Sequence, residues 1–132
     1  NWPAQVDDLV VDTQVEIMTP APFMRPFGER RLGDIYEMRI YTYKPGGIPE
    51  VIKRWSEAIT HREKYSPLAA AWYSEVGGLN TWYHIWAYKD LAERSQIRAQ
   101  ANKDPHWPVL TYEWLIRNEC KVLVPAPFSP MR

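Results

Sequence analysis

The sequence predicts an α+β domain in which a four-stranded antiparallel sheet carries its helices on one face. Three observations lead there. Runs rich in aromatic and β-branched residues alternate with stretches of helical periodicity in the order β-α-β-β-α-β. Two of the strand-like runs flank Gly77-Gly78-Leu79-Asn80, a glycine-containing connection of hairpin length. The two ends of the chain also echo each other. Trp2-Pro3 and Pro20-Ala21-Pro22-Phe23 recur as Trp107-Pro108 and Pro125-Ala126-Pro127-Phe128 at a constant spacing of 105 residues, the mark of a repeated structural unit.

Residues 1–33 read as a partial repeat of a unit's closing segment followed by a connector, and residues 34–132 as a complete unit. The pairs Val10/Leu115, Val11/Ile116, Ile17/Val122 and Met18/Leu123 keep their apolar character across the repeat. Val15 to Met18 are therefore expected to lie as a strand on a sheet edge or to reach a neighbouring subunit. Proline, glycine and Arg30-Arg31 mark the connector.

Residues 34–43 suit the first strand of the complete unit, ended by Lys44-Pro45-Gly46-Gly47. Ile48, Val51, Ile52, Trp55, Ala58 and Ile59 then form a helical stripe, with Pro49 suited to the first turn and His61 and Arg62 to the last. Residues 69–76 and 81–88 form the hairpin. Asp90 and Glu93 have the spacing of a capping box, opening a helix from Leu91 to Asn102. Asp104-Pro105 is expected to start a short extra helix with Trp107, Leu110, Thr111, Trp114 and Leu115 on one side. Cys120 to Val124 reads as the last strand, stopped by Pro125. This order is the ferredoxin-like split β-α-β unit. Because Trp82, His84, Trp86 and Tyr88 alternate with Tyr83 and Ile85, neither sheet face looks made for water. The expected remedy is face-to-face pairing as a dimeric α+β barrel, in a homodimer or between units of a longer chain.

With 132 residues the chain can bury one good core, and its 16 basic and 16 acidic side chains cancel. No net field draws it to nucleic acid, and no apolar run is long enough to span a bilayer. A lone cysteine, Cys120, forms no internal disulfide and fits a reducing compartment, so a cytoplasmic location is expected. A mitochondrial one would require a leader removed ahead of Asn1. Histidines at 61, 84 and 106 lack paired metal spacing, and no sequence suits a phosphate loop or a nucleophile elbow.

Several blocks taken together resemble the NIPSNAP family. They are Tyr36 to Gly46, Trp72 to Gly77 with Leu79-Asn80, His84 to Tyr88, Lys103-Asp104-Pro105 and Pro125 to Pro130. The resemblance covers residues 34–130. It implies the dimeric α+β barrel superfamily, whose members range from monooxygenases and haem-degrading enzymes to proteins with no assigned chemistry. The family pattern defines no catalytic set. Its animal members are associated with mitochondria and with mitophagy signalling.

Read for chemistry, His84 lies mid-strand between two tryptophans and can serve as acid, base or ligand. A hydrogen-bonded core histidine explains it equally. Tyr73 and Glu75 share one alternating set and are the other catalytic candidates, against the simpler reading of a sheet aromatic and a rim charge. Trp86, Trp82, Arg39 and His61 are the candidate ligand-binding residues, with Arg39 and Glu75 envisaged as an inward pair. Ordinary core packing accounts for the tryptophans, and a cation at a helix C-terminus accounts for His61. Arg94 and Arg98 form a candidate anion patch or a solvated helix face. Two functions follow: a module of undefined activity that binds a small apolar ligand or serves assembly, and a cofactor-independent monooxygenase-like or haem-binding enzyme with its pocket at His84. Haem aside, no cofactor is expected, and no metal site.

Overall fold

The computed structural model describes residues 9–28 and 30–131, so the Trp2-Pro3 half of the echoed ends lies outside the described residues. The elements run β1 (Ile17–Pro20), β2 (Ile35–Tyr43), α1 (Gly47–Arg62), β3 (Leu68–Val76), β4 (Thr81–Tyr88), α2 (Leu91–Ala101) and β5 (Leu115–Leu123). The fold is α+β, with one open antiparallel sheet in the order β1-β3-β4-β2-β5. Its last four strands have the ferredoxin-like arrangement. The fifth strand is β1, which pairs antiparallel with β3 through Met18↔Ser74 and Thr19↔Tyr73. The sheet edge expected for Val15 to Met18 is thus occupied by Ile17–Pro20, while Val15 and Glu16 precede the strand.

Local chemistry sets the helix starts. Gly46 closes the turn after β2 with φ +82°, a left-handed conformation that only glycine adopts without strain, and α1 follows at once. Asp90 caps α2, its Oδ1 accepting from the Glu93 amide at 2.8 Å, while Glu93 Oε2 accepts from Lys89 N at 2.6 Å. Along α1, Val51, Trp55 and Ile59 share one face and bury it against the sheet.

Two expectations need correction. Residues 105–114 form turns and irregular chain rather than a short extra helix, and α1 and α2 are the two α-helices among the described residues. Pro108 lies inside the proposed helical stripe, where it supplies no amide and disfavours a helical Trp107. Thr111 is buried and Trp107, Trp114 and Leu115 are partly so, which explains the apolar spacing without a helix. The last strand begins at Leu115 rather than Cys120, pairing with β2 from Tyr43 to Tyr36.

The main core fills the space between the helical face of the sheet, α1 and the 102–114 loop. Trp55 sits at its centre, with ring centroids 5.3 Å from Trp82, 4.7 Å from His84 and 5.0 Å from Trp107. A smaller cluster on the outer face gathers Tyr36, Ala69 and Ala87 with Ile85, Leu123 and Met131. On that face Trp72 stacks on Tyr83 at 6.3 Å.

Candidate functional site

Strand register builds the site. Arg39 on β2 stands opposite His84 on β4 and Cys120 on β5, and His84 in turn faces Ala71 on β3. Alternation along β2 places Glu37, Arg39, Tyr41 and Tyr43 on the helical face together. Above this row lies a cavity of about 390 Å³. Arg39, Tyr41, His84 and Trp86 form its floor, Trp55 one wall, Arg98 and Asn102 another, and the 107–115 stretch, with Trp107, Val109 and Tyr112, the rim.

A buried charge network underlies the cavity. Glu37 is 1 % exposed and accepts bonds from Arg94 Nη2 at 2.6 Å, Arg39 Nη1 at 3.0 Å and Cys120 Sγ at 3.0 Å. Arg98 Nη1 stands 3.6 Å from Glu37 Oε2, beyond hydrogen-bond length. Burial pushes the carboxyl up, but the Arg94 bond, the Cys120 bond and the charges of Arg98 and Arg39 outweigh it and hold Glu37 at about 2. Behind it, Arg62 donates to Ser66 Oγ at 2.8 Å and Tyr88 Oη at 2.9 Å and lies over the Trp86 ring at 4.1 Å. Four arginines therefore surround one carboxylate.

His84 is 2 % exposed, with Tyr41 edge-on at 5.0 Å. Burial, reinforced by the charges of Arg39, Arg62 and Arg98, holds its pKa well below the ordinary imidazole value, so the ring is neutral at pH 7. Its Nδ1 has no hydrogen-bond partner. A buried polar atom left unpaired costs roughly 1–3 kcal/mol.

Of the residues singled out in the sequence, the structure brings His84, Trp86 and Arg39 together at this cavity. Tyr73 and Glu75 line a different, open cleft of about 590 Å³ with Ile48, Ile52 and Asn80. Arg39 pairs with Glu37 and not with Glu75, which is exposed at the end of β3. Trp82 is fully buried and packs between Phe23 and Trp55 as core. His61 stacks on His106 at 4.1 Å, away from the cavity. Glu37, Tyr41 and Trp55 escaped notice as site residues. The alternation Glu37-Arg39-Tyr41 already aligned two of them, and Arg94 and Arg98, four apart on α2, share the face that meets Glu37.

Among the described residues, no group of histidine, cysteine and acidic side chains is arranged to hold a metal ion. No helix there is long and apolar enough to cross a membrane.

The profile of the NIPSNAP family matches residues 36–130, which span the site from Glu37 to Cys120. The chain belongs to the NIPSNAP family. Among NIPSNAP relatives, Protein NipSnap of Drosophila melanogaster is 36 % identical over 100 residues, covering 74 % of this chain and 37 % of that protein. NipSnap homolog 2 of Homo sapiens is 29 % identical over 128 residues, covering 95 % and 45 %. The chain thus spans less than half the length of these two relatives. Its fold is similar to the crystal structure of an Agrobacterium tumefaciens protein, with TM-score 0.70 and 33 % identity over 74 % of this chain and 99 % of that one. An uncharacterized NIPSNAP domain protein from Burkholderia xenovorans gives TM-score 0.66 and 31 % identity over 73 % and 98 %.

Proposed function

We propose that this NIPSNAP domain is a small-molecule-binding module whose site is the cavity at His84. The observation that carries the reading is the convergence, at one aromatic-walled cavity, of a neutral buried imidazole with an unpaired nitrogen and two arginines. Trp55, Trp86 and Trp107 offer flat apolar surface to the body of a ligand. Substituting Val109, a loop residue of the lining, by tryptophan fills the space with little burden on the sheet. A panel of planar aromatic compounds is expected to quench tryptophan fluorescence in the parent protein and to lose most of that effect in Val109→Trp. Absence of quenching, or equal quenching in both, would remove the ligand reading.

The neutral imidazole favours a second reading as a cofactor-independent oxygenase. A free base at pH 7 can accept a proton from a phenolic substrate before oxygen reacts with it. Oxygen uptake with hydroquinones, lost in His84→Gln while the fold persists, would support it; no uptake by the parent protein would exclude it. Haem fits poorly, because Trp55 and Tyr41 crowd the imidazole within 5.0 Å and leave a macrocycle little approach to a ring nitrogen. A hemin titration is expected to give no Soret band that depends on His84.

For assembly we propose that the outer sheet face, with Met38, Ile40, Trp72 and Ile85 only partly covered, packs against the same face of a second copy.

A further inference from the structure

We infer that the ligand of the His84 cavity is an anion, the carboxylate of a small aromatic acid, held by Arg98 and Arg39. This rests on the reading of the cavity as a ligand site and concerns what that site selects. The lining contains arginine but no aspartate or glutamate. Glu37 lies beneath it and its single negative charge is shared by Arg39, Arg94 and Arg98, with Arg62 behind, so the network keeps a surplus of positive charge. Such a surplus in a partly desolvated pocket attracts an anion and repels a cation.

The donors are distributed unequally. Arg94 and Arg39 spend nitrogens on Glu37, and Arg39 Nε donates to Tyr41 Oη at 2.8 Å. Arg98 keeps a 3.6 Å ion contact with the same carboxylate without a hydrogen bond to it, so its planar fork retains donors for two ligand oxygens. His84 reinforces the selection. Its neutral ring carries one N–H, which can donate to a carboxylate oxygen, and it adds no competing charge. Aromatic walls beside the arginines suit a flat hydrocarbon body. The donors come from a strand and the last turns of α2, and the guanidinium fork matches the two oxygens of a planar carboxylate.

Cinnamate and cinnamamide have nearly the same shape and differ in charge. Calorimetric titration of the folded protein at pH 7 and low salt is expected to give at least about ten-fold tighter binding of cinnamate. Arg98→Gln should weaken cinnamate about ten-fold and narrow the ratio of the two, and Arg98→Lys should recover part of the loss. Equal affinity for acid and amide would overturn the inference and leave the ligand reading standing. Equal loss of both in Arg98→Gln would also overturn it, by making Arg98 a structural residue. Failure of both probes to bind the parent protein counts against the ligand reading and the inference together.

Discussion

Glu37 ties β2, α2 and β5 through one carboxylate, and its titration is therefore part of the stability of the fold. Held at about 2 when folded against an ordinary value of 4.5, it stabilises the native state fully above pH 4.5, and the contribution disappears as pH falls through about 2. The shift corresponds to about 3 kcal/mol. Urea unfolding at successive pH values is expected to show this loss, and Glu37→Gln to flatten it. At pH 7 the same substitution leaves the partly buried Arg39 and Arg94 without their carboxylate and should cost about 3 kcal/mol. His84 acts in a neighbouring range. Its lowered pKa means that the unfolded chain takes up the proton first, so stability falls as pH drops below 6.5. Imidazole nitrogen resonances assigned to His84 should remain those of the neutral ring at pH 6, and an imidazolium signal there would refute the assignment.

At the level of elements, α1 is anchored by Trp55, which touches the rings of Phe23, Trp82, His84, Trp86 and Trp107. Trp55→Ala is expected to cost about 4 kcal/mol in thermal or urea unfolding, by transfer and cavity terms together. Gly33 governs the entry to β2. A Cβ there would lie 2.5 Å from Tyr88 O, so Gly33→Ala should displace the strand and lower the melting temperature despite adding a single methyl. α1, the β3–β4 hairpin and the cap of α2 were legible because each is written within a few consecutive residues: the Val51-Trp55-Ile59 spacing, Gly77-Gly78, and Asp90 with Glu93. β5 was read short because Arg117, Asn118 and Glu119 are polar in succession on an edge strand and leave no period-two signal. In the site, His84, Arg39 and Trp86 were legible from strand alternation. Glu37 was not, since its meeting with Arg94 depends on how α2 packs across β2, a contact 57 residues apart in sequence. Tyr73 and Glu75 were placed with them because alternation reports a face but not a position along it. Tyr73 pairs with Trp82, whereas His84 pairs with Ala71, two residues further along the same face.

For the whole molecule, the helical face is covered by α1, α2 and the 102–114 loop apart from its two clefts, while the outer face keeps apolar side chains partly open. If a second copy covers it, sedimentation equilibrium should give a dimer, and Ile85→Glu should shift the distribution to monomer while cinnamate binding on the opposite face persists. A parent protein that sediments as a monomer at high concentration would refute the pairing. The two rims of the sheet are treated differently. β5 presents Arg117, Glu119 and Lys121, charges that discourage another chain from docking there. β3 has no such gatekeepers over Leu68–Tyr73, and β1 pairs with its outer edge from Trp72 to Val76, the Ala21 amide donating to Ala71 O just beyond. Four residues, Ile17–Pro20, therefore act as a shield against self-templated aggregation: without them the Trp72–Val76 half of the strand would offer an open seam for cross-β growth.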